Sequence, residues 1–197
     1  MLDRHAAQQS AAAAHARAEA AEAALADSNM QALMEAFAAS FLQPNVLAFF
    51  KAHKAALVGI FARYAGTEAA LRPGEPGGGL AAAAEGRVSR GALSRFAADF
   101  ALAPALMGDE ELQQLATEVS RTAGQGQGGA EALTYAQFVE LLGLAAFVLA
   151  AAQGNSAAPM LKKLQLMLLA LEAAGAAFRG DPARAMLRAA AEAARQR

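Results

Sequence analysis

The sequence predicts an all-α protein, and three observations lead to this prediction. The chain of 197 residues is 56% hydrophobic, and much of this content is alanine, the residue with the highest helix propensity. Large apolar residues recur at intervals of three and four, which places them on one face of a helix. Residues that cap helices, or end them, separate these apolar stretches.

Composition also argues against several classes of function. Cysteine is absent, so disulfides, thiolate metal sites and cysteine nucleophiles are excluded. The formal net charge is −1, so no global charge attracts nucleic acid. The longest uncharged apolar run spans residues 141–152, which is short of the ~20 residues that cross a bilayer. The N-terminal residues lack the apolar core of a signal peptide, and we expect a cytoplasmic protein without membrane contact.

The chain divides into three predicted parts. We expect an alanine-rich helical extension over residues 1–27 and the main helical domain over residues 28–178. A basic C-terminal helix is expected over residues 179–197. The extension carries few large apolar side chains, so it would gain stability mainly by docking on a partner.

The main domain begins with two predicted helices. The first carries a stripe expected to face the core: Met30, Leu33, Met34, Phe37, Phe41 and Leu42. The second runs from residue 46 to residue 65, and Gly66 ends it. Its inward residues are Phe49, Phe50, Leu57, Ile60, Phe61 and Tyr64. Residues 66–87 predict a flexible loop, because the Gly-Lys-Ser/Thr sequence of a phosphate-binding loop is missing.

Two similar capped helices follow. Ser89 is the predicted N-cap of one, with Leu93, Phe96, Ala97 and Phe100 inward. Thr134 and Gln137 predict a capping box at the start of the other. That helix is apolar nearly all round after Glu140, so we expect it to be the most buried helix of the chain.

Between these two helices, Asp109 is the predicted N-cap of a helix with Glu110 and Glu111 in its first turn. Acids at this place complement the helix dipole, an interpretation that we prefer to a metal or acid–base site. Its predicted apolar face is Leu112, Leu115, Ala116 and Val119.

The C-terminal part predicts one more core helix and a basic stripe. Pro159 suits the start of a helix over residues 160–178, whose apolar face is Leu161, Leu164, Leu168 and Leu171, broadened by Met160, Met167 and Phe178. The candidate partner-binding residues are cations at helical spacing: Arg184, Arg188 and Arg195, together with Lys51 and Lys54.

Residues 46–102 and 109–149 resemble a tandem pair of EF-hands. In each copy a helix and a loop lead to one apolar residue, a hydroxyl N-cap and an aromatic-bearing helix. Val88 and Leu133 match the residues that pair between sister loops in that family. The metal-ligand places hold Ala81, Ala83, Glu85 and Ala92 in the first loop, and Gly126, Gly128, Ala130 and Gln137 in the second. Calcium requires six to eight oxygens with several carboxylates, so the resemblance implies a degenerate pair that binds no metal.

The second copy is similar to degenerate EF-hand modules of tubulin-associated and ciliary axoneme proteins. This resemblance implies a non-enzymatic structural adaptor in a large, microtubule-associated assembly of the cytoskeleton, such as the axoneme of a cilium or flagellum. It implies protein partners bound through helices, with no cofactor, nucleic acid, membrane or small-molecule substrate. The helix over residues 160–178 is expected to fill the groove of the pair from within the same chain.

Three alternatives stay open from the sequence. One is an EF-hand-like regulatory protein that responds to calcium or to a modification. Another is an enzyme, which the three scattered histidines and the lack of acidic clusters outside helix starts disfavour. The last is a helical bundle unrelated to EF-hands, which an antiparallel contact between Val88 and Leu133 would contradict.

Overall fold

A computed structural model describes residues 29–71, 79–100, 102, 107–122, 132–155 and 157–174. The predictions for residues 1–27 and 179–197, including those for Arg184, Arg188 and Arg195, lie outside the described residues. The chain divides into two compact units, Met1–Ser40 and Phe41–Arg197.

Helices dominate the described residues, which confirms the all-α prediction. They are α1 (Asn29–Phe41), α2 (Pro44–Ala52), α3 (Lys54–Ala65), α4 (Leu80–Ala83), α5 (Arg90–Asp99), α6 (Asp109–Thr122), α7 (Tyr135–Ala152) and α8 (Met160–Ala174). A 3-10 turn spans Glu68–Leu71, and two short strands are β1 (Val88–Ser89) and β2 (Ala132–Leu133).

The apolar stripe predicted around α1 is only partly buried. Phe37 is 1% exposed, whereas Leu42 is 68% exposed, so the prediction that Leu42 faces the core is wrong. The reason is that α1 ends at Phe41, and Leu42 lies in the turn that follows.

The single helix predicted over residues 46–65 is two helices. The first begins at Pro44, which suits the first helical position, and the break falls at His53, where φ is −103° and ψ is 12°. The His53 ring is 5% exposed and packs on Phe49, with ring centroids 4.4 Å apart. Tertiary packing therefore produces this helix break, and no proline or glycine at the break predicts it from the sequence. Gly66 ends α3 in the left-handed conformation (φ 74°), as predicted.

The predicted loop over residues 66–87 contains regular structure, so that prediction is partly wrong. Besides the 3-10 turn, the alanine run forms α4, and Ala83 is fully buried against Val58 and Ala62 of α3. An isolated helix of four residues is not stable in water, so this contact with the core is what holds α4.

The starts of α5 and α6 differ in how far the sequence predicts them. Ser89 Oγ accepts a hydrogen bond from the Ala92 amide at 3.2 Å, which confirms the predicted N-cap of α5. The predicted N-cap role of Asp109 is wrong, because α6 begins at Asp109 itself and the carbonyl of Gly108 accepts from the Leu112 amide. The Asp109 carboxylate accepts instead from the Ser94 hydroxyl at 3.1 Å.

The predicted face of α6 is confirmed, since its four apolar residues are buried: Leu112, Leu115, Ala116 and Val119.

Helix α7 is long, apolar and central. It buries ten of its 18 residues, whereas α3 buries eight of twelve. The expectation that α7 is the most buried helix is therefore wrong when burial is measured as the fraction of buried residues. Its length and mean hydropathy of 1.7 would suffice for a membrane span, yet 56% of it is buried inside the fold, as in a core helix.

Helix α8 packs against α7 and α2. Most of the residues in the packed face are those that the sequence predicts. Its buried residues include Met160, Leu164, Met167, Leu168 and Leu171, whereas Leu161 is half-buried. Phe178 lies outside the described residues.

Candidate functional site

A short antiparallel bridge joins the starts of α5 and α7. Val88 pairs with Leu133, and Ser89 pairs with Ala132. Val88 is 1% exposed and Leu133 is 4% exposed, so both side chains enter the core directly before the capped helices. The contact expected between Val88 and Leu133 is therefore present.

Below the bridge, aromatic rings from three helices form one cluster. Phe138 of α7 lies with its ring centroid 5.3 Å from Phe96 of α5 and 5.6 Å from Phe61 of α3. Tyr64 packs edge-on to Phe96 at 5.4 Å, and Tyr135 packs edge-on to Phe61 at 5.5 Å. Such pairs add about 0.5–1.5 kcal/mol each beyond burial, so the cluster ties α3, α5 and α7 together.

Both tyrosines of the chain belong to this cluster. The Tyr64 hydroxyl donates to Asp99 Oδ2 at 2.7 Å, and burial, followed by this hydrogen bond and the Asp99 charge, raises the pKa of Tyr64. Burial raises the pKa of Tyr135 to about 12. Both phenols are therefore neutral at physiological pH and act as packing groups.

In the loop before α5, apolar packing occupies places that the EF-hand resemblance would assign to metal ligands. Ala83 is fully buried in the core, and its carbonyl accepts a hydrogen bond from Thr67 Oγ1 at 2.7 Å. Glu85 is exposed, and it is the one carboxylate at a ligand place of this loop. The loop is thus held by contacts that leave no set of oxygens around a cation.

Gly86 lies close to the end of α3. A Cβ on Gly86 would lie 2.7 Å from Ala65 Cβ and 2.8 Å from Thr67 Cγ2. Glycine is therefore needed at this position for space, because the loop lies directly on the end of α3.

At the start of α7, Gln137, which the EF-hand resemblance would assign to the last ligand place, is part of the helix cap. Gln137 Oε1 accepts from the Thr134 amide and from the Thr134 hydroxyl, both at 2.9 Å, and the Gln137 amide donates to Thr134 Oγ1 at 3.4 Å. This confirms the predicted capping box. Gln137 is 3% exposed, and its Nε2 has no hydrogen-bond partner among the described residues. The places at 126, 128 and 130 lie outside the described residues.

Two cavities lie near this framework, and both are far smaller than the ~300 Å³ of an ordinary ligand pocket. One, of about 10 Å³, lies between α5, α6 and the bridge. The other, of about 40 Å³, lies between α7 and α8 and is lined partly by Gln153 and Lys163. Their size suits water rather than a substrate.

Lys163 is a buried cation that sequence reasoning missed. It is 3% exposed, its ammonium lies 4.0 Å from the centre of the Phe147 ring, and burial lowers its pKa. A signal was available in the sequence, because Lys163 shares the helical spacing of Met160 and Met167 on the buried face of α8.

The predicted partner-binding lysines lie on the surface. Lys51 near the end of α2 and Lys54 at the start of α3 are both exposed. Lys51 is one of the exposed residues of α2, which together we call the α2 face: Pro44, Asn45, Leu47, Ala48, Lys51 and Ala52.

Within the described ranges, no three histidine, aspartate or glutamate side chains come together in a way that could hold a metal ion. Comparisons with family models, with curated proteins and with solved structures found no match to this chain.

Proposed function

We propose that this protein is a non-enzymatic structural adaptor built on a degenerate, metal-independent EF-hand-like pair. The observation that carries the proposal is the antiparallel contact of Val88 with Leu133. It joins two hydroxyl-capped helices whose phenylalanines meet in one aromatic cluster. This combination supports a paired unit better than it supports two helices that are merely adjacent.

The proposed pair is held in one conformation without a metal. Calcium sensors open because cation binding reorganises the helices beside each loop. Here Ala83 already fills the core, and Gln137 already satisfies the start of α7. These contacts support a constitutive scaffold over a calcium-responsive regulator.

The groove of the proposed pair is filled by its own chain. Helix α8 packs against α7 and α2 with its leucine and methionine face, in the manner of an amphipathic helix in a hydrophobic groove. The outward faces of the helices then remain for partners. Resemblance to degenerate modules of ciliary axoneme proteins suggests an axonemal or other microtubule-associated assembly in the cytoskeleton.

A calcium titration tests the metal-independent scaffold. Amide NMR spectra of the full chain are recorded with increasing calcium, and the reporters are Val88, Ser89, Leu133 and Thr134. We expect no saturable shift at these amides, because the loops already meet their packing and hydrogen-bonding needs. A saturable shift confined to them would replace the adaptor with a calcium-responsive regulator.

Crosslinking mass spectrometry on extracts of ciliated cells tests the assembly. Exposed Lys51, Lys54 and Lys162 should form crosslinks to a filament protein, whereas buried Lys163 should not and serves as an internal control. Fractionation of the tagged protein tests the location. Its release with the soluble proteins, with no axonemal pool and no filament crosslinks, would overturn the axonemal assignment.

A further inference from the structure

The solvent face of α2 is unusual in composition. The exposed side of a helix is normally polar, but on α2 only Asn45 and Lys51 are polar, and the other exposed residues are Pro44, Leu47, Ala48 and Ala52. Leu47 is 47% exposed, and Leu42 in the preceding turn is 68% exposed. Two large aliphatic side chains therefore lie in solvent, next to lysines.

This surface also belongs to a stretch of one charge sign. Residues 36–67 contain no aspartate or glutamate but contain Lys51, Lys54 and Arg63, which gives a formal charge of +3 in a chain whose net charge is −1. Both lysines are exposed, so their charge is available to an incoming partner. Apolar side chains with cations beside them are complementary to a ligand that carries apolar and acidic residues together.

We propose that the α2 face, together with the flanking residues Leu42 and Lys54, docks an acidic amphipathic helix of a protein partner. This inference rests on the proposed adaptor function and specifies which kind of side chains the partner would present. Leucines of the partner helix cover Leu42 and Leu47, and its carboxylates meet Lys51 and Lys54. Leu47 and Lys51 are one helical turn apart, about 6 Å along the axis. A partner helix with a leucine and a glutamate one turn apart matches that spacing.

Other macromolecules fit this surface less well. Attachment to an anionic membrane through charge takes clusters of about 4–8 basic residues, and this surface has two lysines. Nucleic-acid binding relies on several phosphate contacts and would be opposed by the net charge of −1.

The test uses a fluorescently labelled synthetic helix with leucines along one side and glutamates flanking them. The control peptide keeps the leucines and replaces every glutamate by lysine. Fluorescence anisotropy with the full-length protein should show saturable binding of the acidic peptide that weakens as salt is added. The lysine peptide should bind at least tenfold more weakly.

Variants assign the binding to the α2 face. Lys51→Glu combined with Lys54→Glu should weaken binding of the acidic peptide about tenfold and strengthen binding of the lysine peptide. Leu47→Ser should weaken binding of both peptides. Arg95→Glu, at an exposed cation on α5, is the matched control and should leave the affinity unchanged. Circular dichroism verifies that each variant is folded.

Several results would overturn the proposal. They are no binding of the acidic peptide to the wild-type protein, equal binding of both peptides, or equal loss of affinity in the Arg95→Glu control. Binding of phosphatidylserine vesicles in place of the peptide would assign the surface to a membrane instead. A calcium-induced NMR shift with intact peptide binding would overturn only the metal-independent scaffold, so the two failures are distinguishable.

Discussion

The helices α5 and α7 begin in the same way, yet the segments before them are held by different forces. Each follows a strand residue paired with the other copy, and each has a hydroxyl N-cap. Before α5, apolar packing holds the loop, because Ala83 is buried and Gly86 lies on the end of α3. At α7, hydrogen bonds of Gln137 complete the cap.

This difference shows that two similarly capped helices can be supported in two ways. In the first copy the core supplies the stabilising contacts, so changes there should have large effects. In the second copy a local capping motif supplies them, so changes there should have moderate effects. The predictions below test this contrast, from the largest expected effect to the smallest.

Introducing a carboxylate in the loop before α5 should destabilise the protein rather than create a calcium site. Ala83→Asp places a charge where the side chain is fully buried. We expect the free energy of unfolding to fall by about 3 kcal/mol or more, since a buried charge without a partner is costly. Urea denaturation followed by circular dichroism measures the loss.

The control is Ala81→Asp, the same substitution at an exposed position of the same short helix. Its effect should stay within about 0.5 kcal/mol. Recovery of the Ala83→Asp variant on addition of calcium would show that the loop still accepts a cation and would contradict the packing account.

Adding one methyl group at Gly86 should also be costly. The Cβ of Gly86→Ala would approach Ala65 and Thr67 within 2.8 Å, so the loop must move away from α3. We expect a loss of about 1–3 kcal/mol in unfolding free energy, as for overpacking of a core. Gly91→Ala is the matched control, because its Cβ meets nothing within 4 Å and alanine favours the helix. A similar loss in both variants would refute a steric role for Gly86.

The two N-caps should differ in strength. Ser89→Ala removes one capping hydrogen bond and should cost about 1 kcal/mol. Thr134→Ala should cost more, about 2 kcal/mol, because it also removes the hydroxyl donor to buried Gln137. Thr134→Ser should retain most of the stability in the same denaturation measurement. Equal costs for the two alanine variants would mean that the bond from the Thr134 hydroxyl to Gln137 adds nothing to stability.

High pH should destabilise the aromatic cluster through its two tyrosines. Their folded pKa values are raised above the ordinary value of 10.0, so the fold favours the neutral phenols. This contribution to stability is complete below pH 10.0 and is lost as the pH rises through the folded pKa of each tyrosine. That pKa is about 12 for Tyr135 and is also raised for Tyr64. A pH titration followed by tyrosinate absorbance measures each pKa separately. The Tyr64→Phe variant reports Tyr135, and the Tyr135→Phe variant reports Tyr64. A titration midpoint near 10.0 for both would contradict their burial.

Local chemistry made much of this fold predictable. Three features depend only on residues a few positions apart, so the sequence predicts them: the N-caps at Ser89 and Thr134 and the left-handed conformation of Gly66. The pairing of Val88 with Leu133 was predictable from a family resemblance, although the two residues are far apart along the chain.

Long-range packing decided the remaining features. The helix break at His53 and the folding of α4 depend on contacts with the core. Burial of Lys163 over Phe147 likewise depends on how α8 packs on α7. The break at His53 and the folding of α4 carry no signal at short range, because histidine and alanine also occur in exposed helices. For Lys163 the helical spacing gives a signal, but only the packing of α8 on α7 shows that the side chain is buried. Alone, the sequence determined the helical class, the N-caps at Ser89 and Thr134 and the glycine that ends α3. Only the tertiary structure decided that Ala83 fills the core and that an apolar, basic face of α2 stays exposed, because burial depends on neighbours distant in the chain.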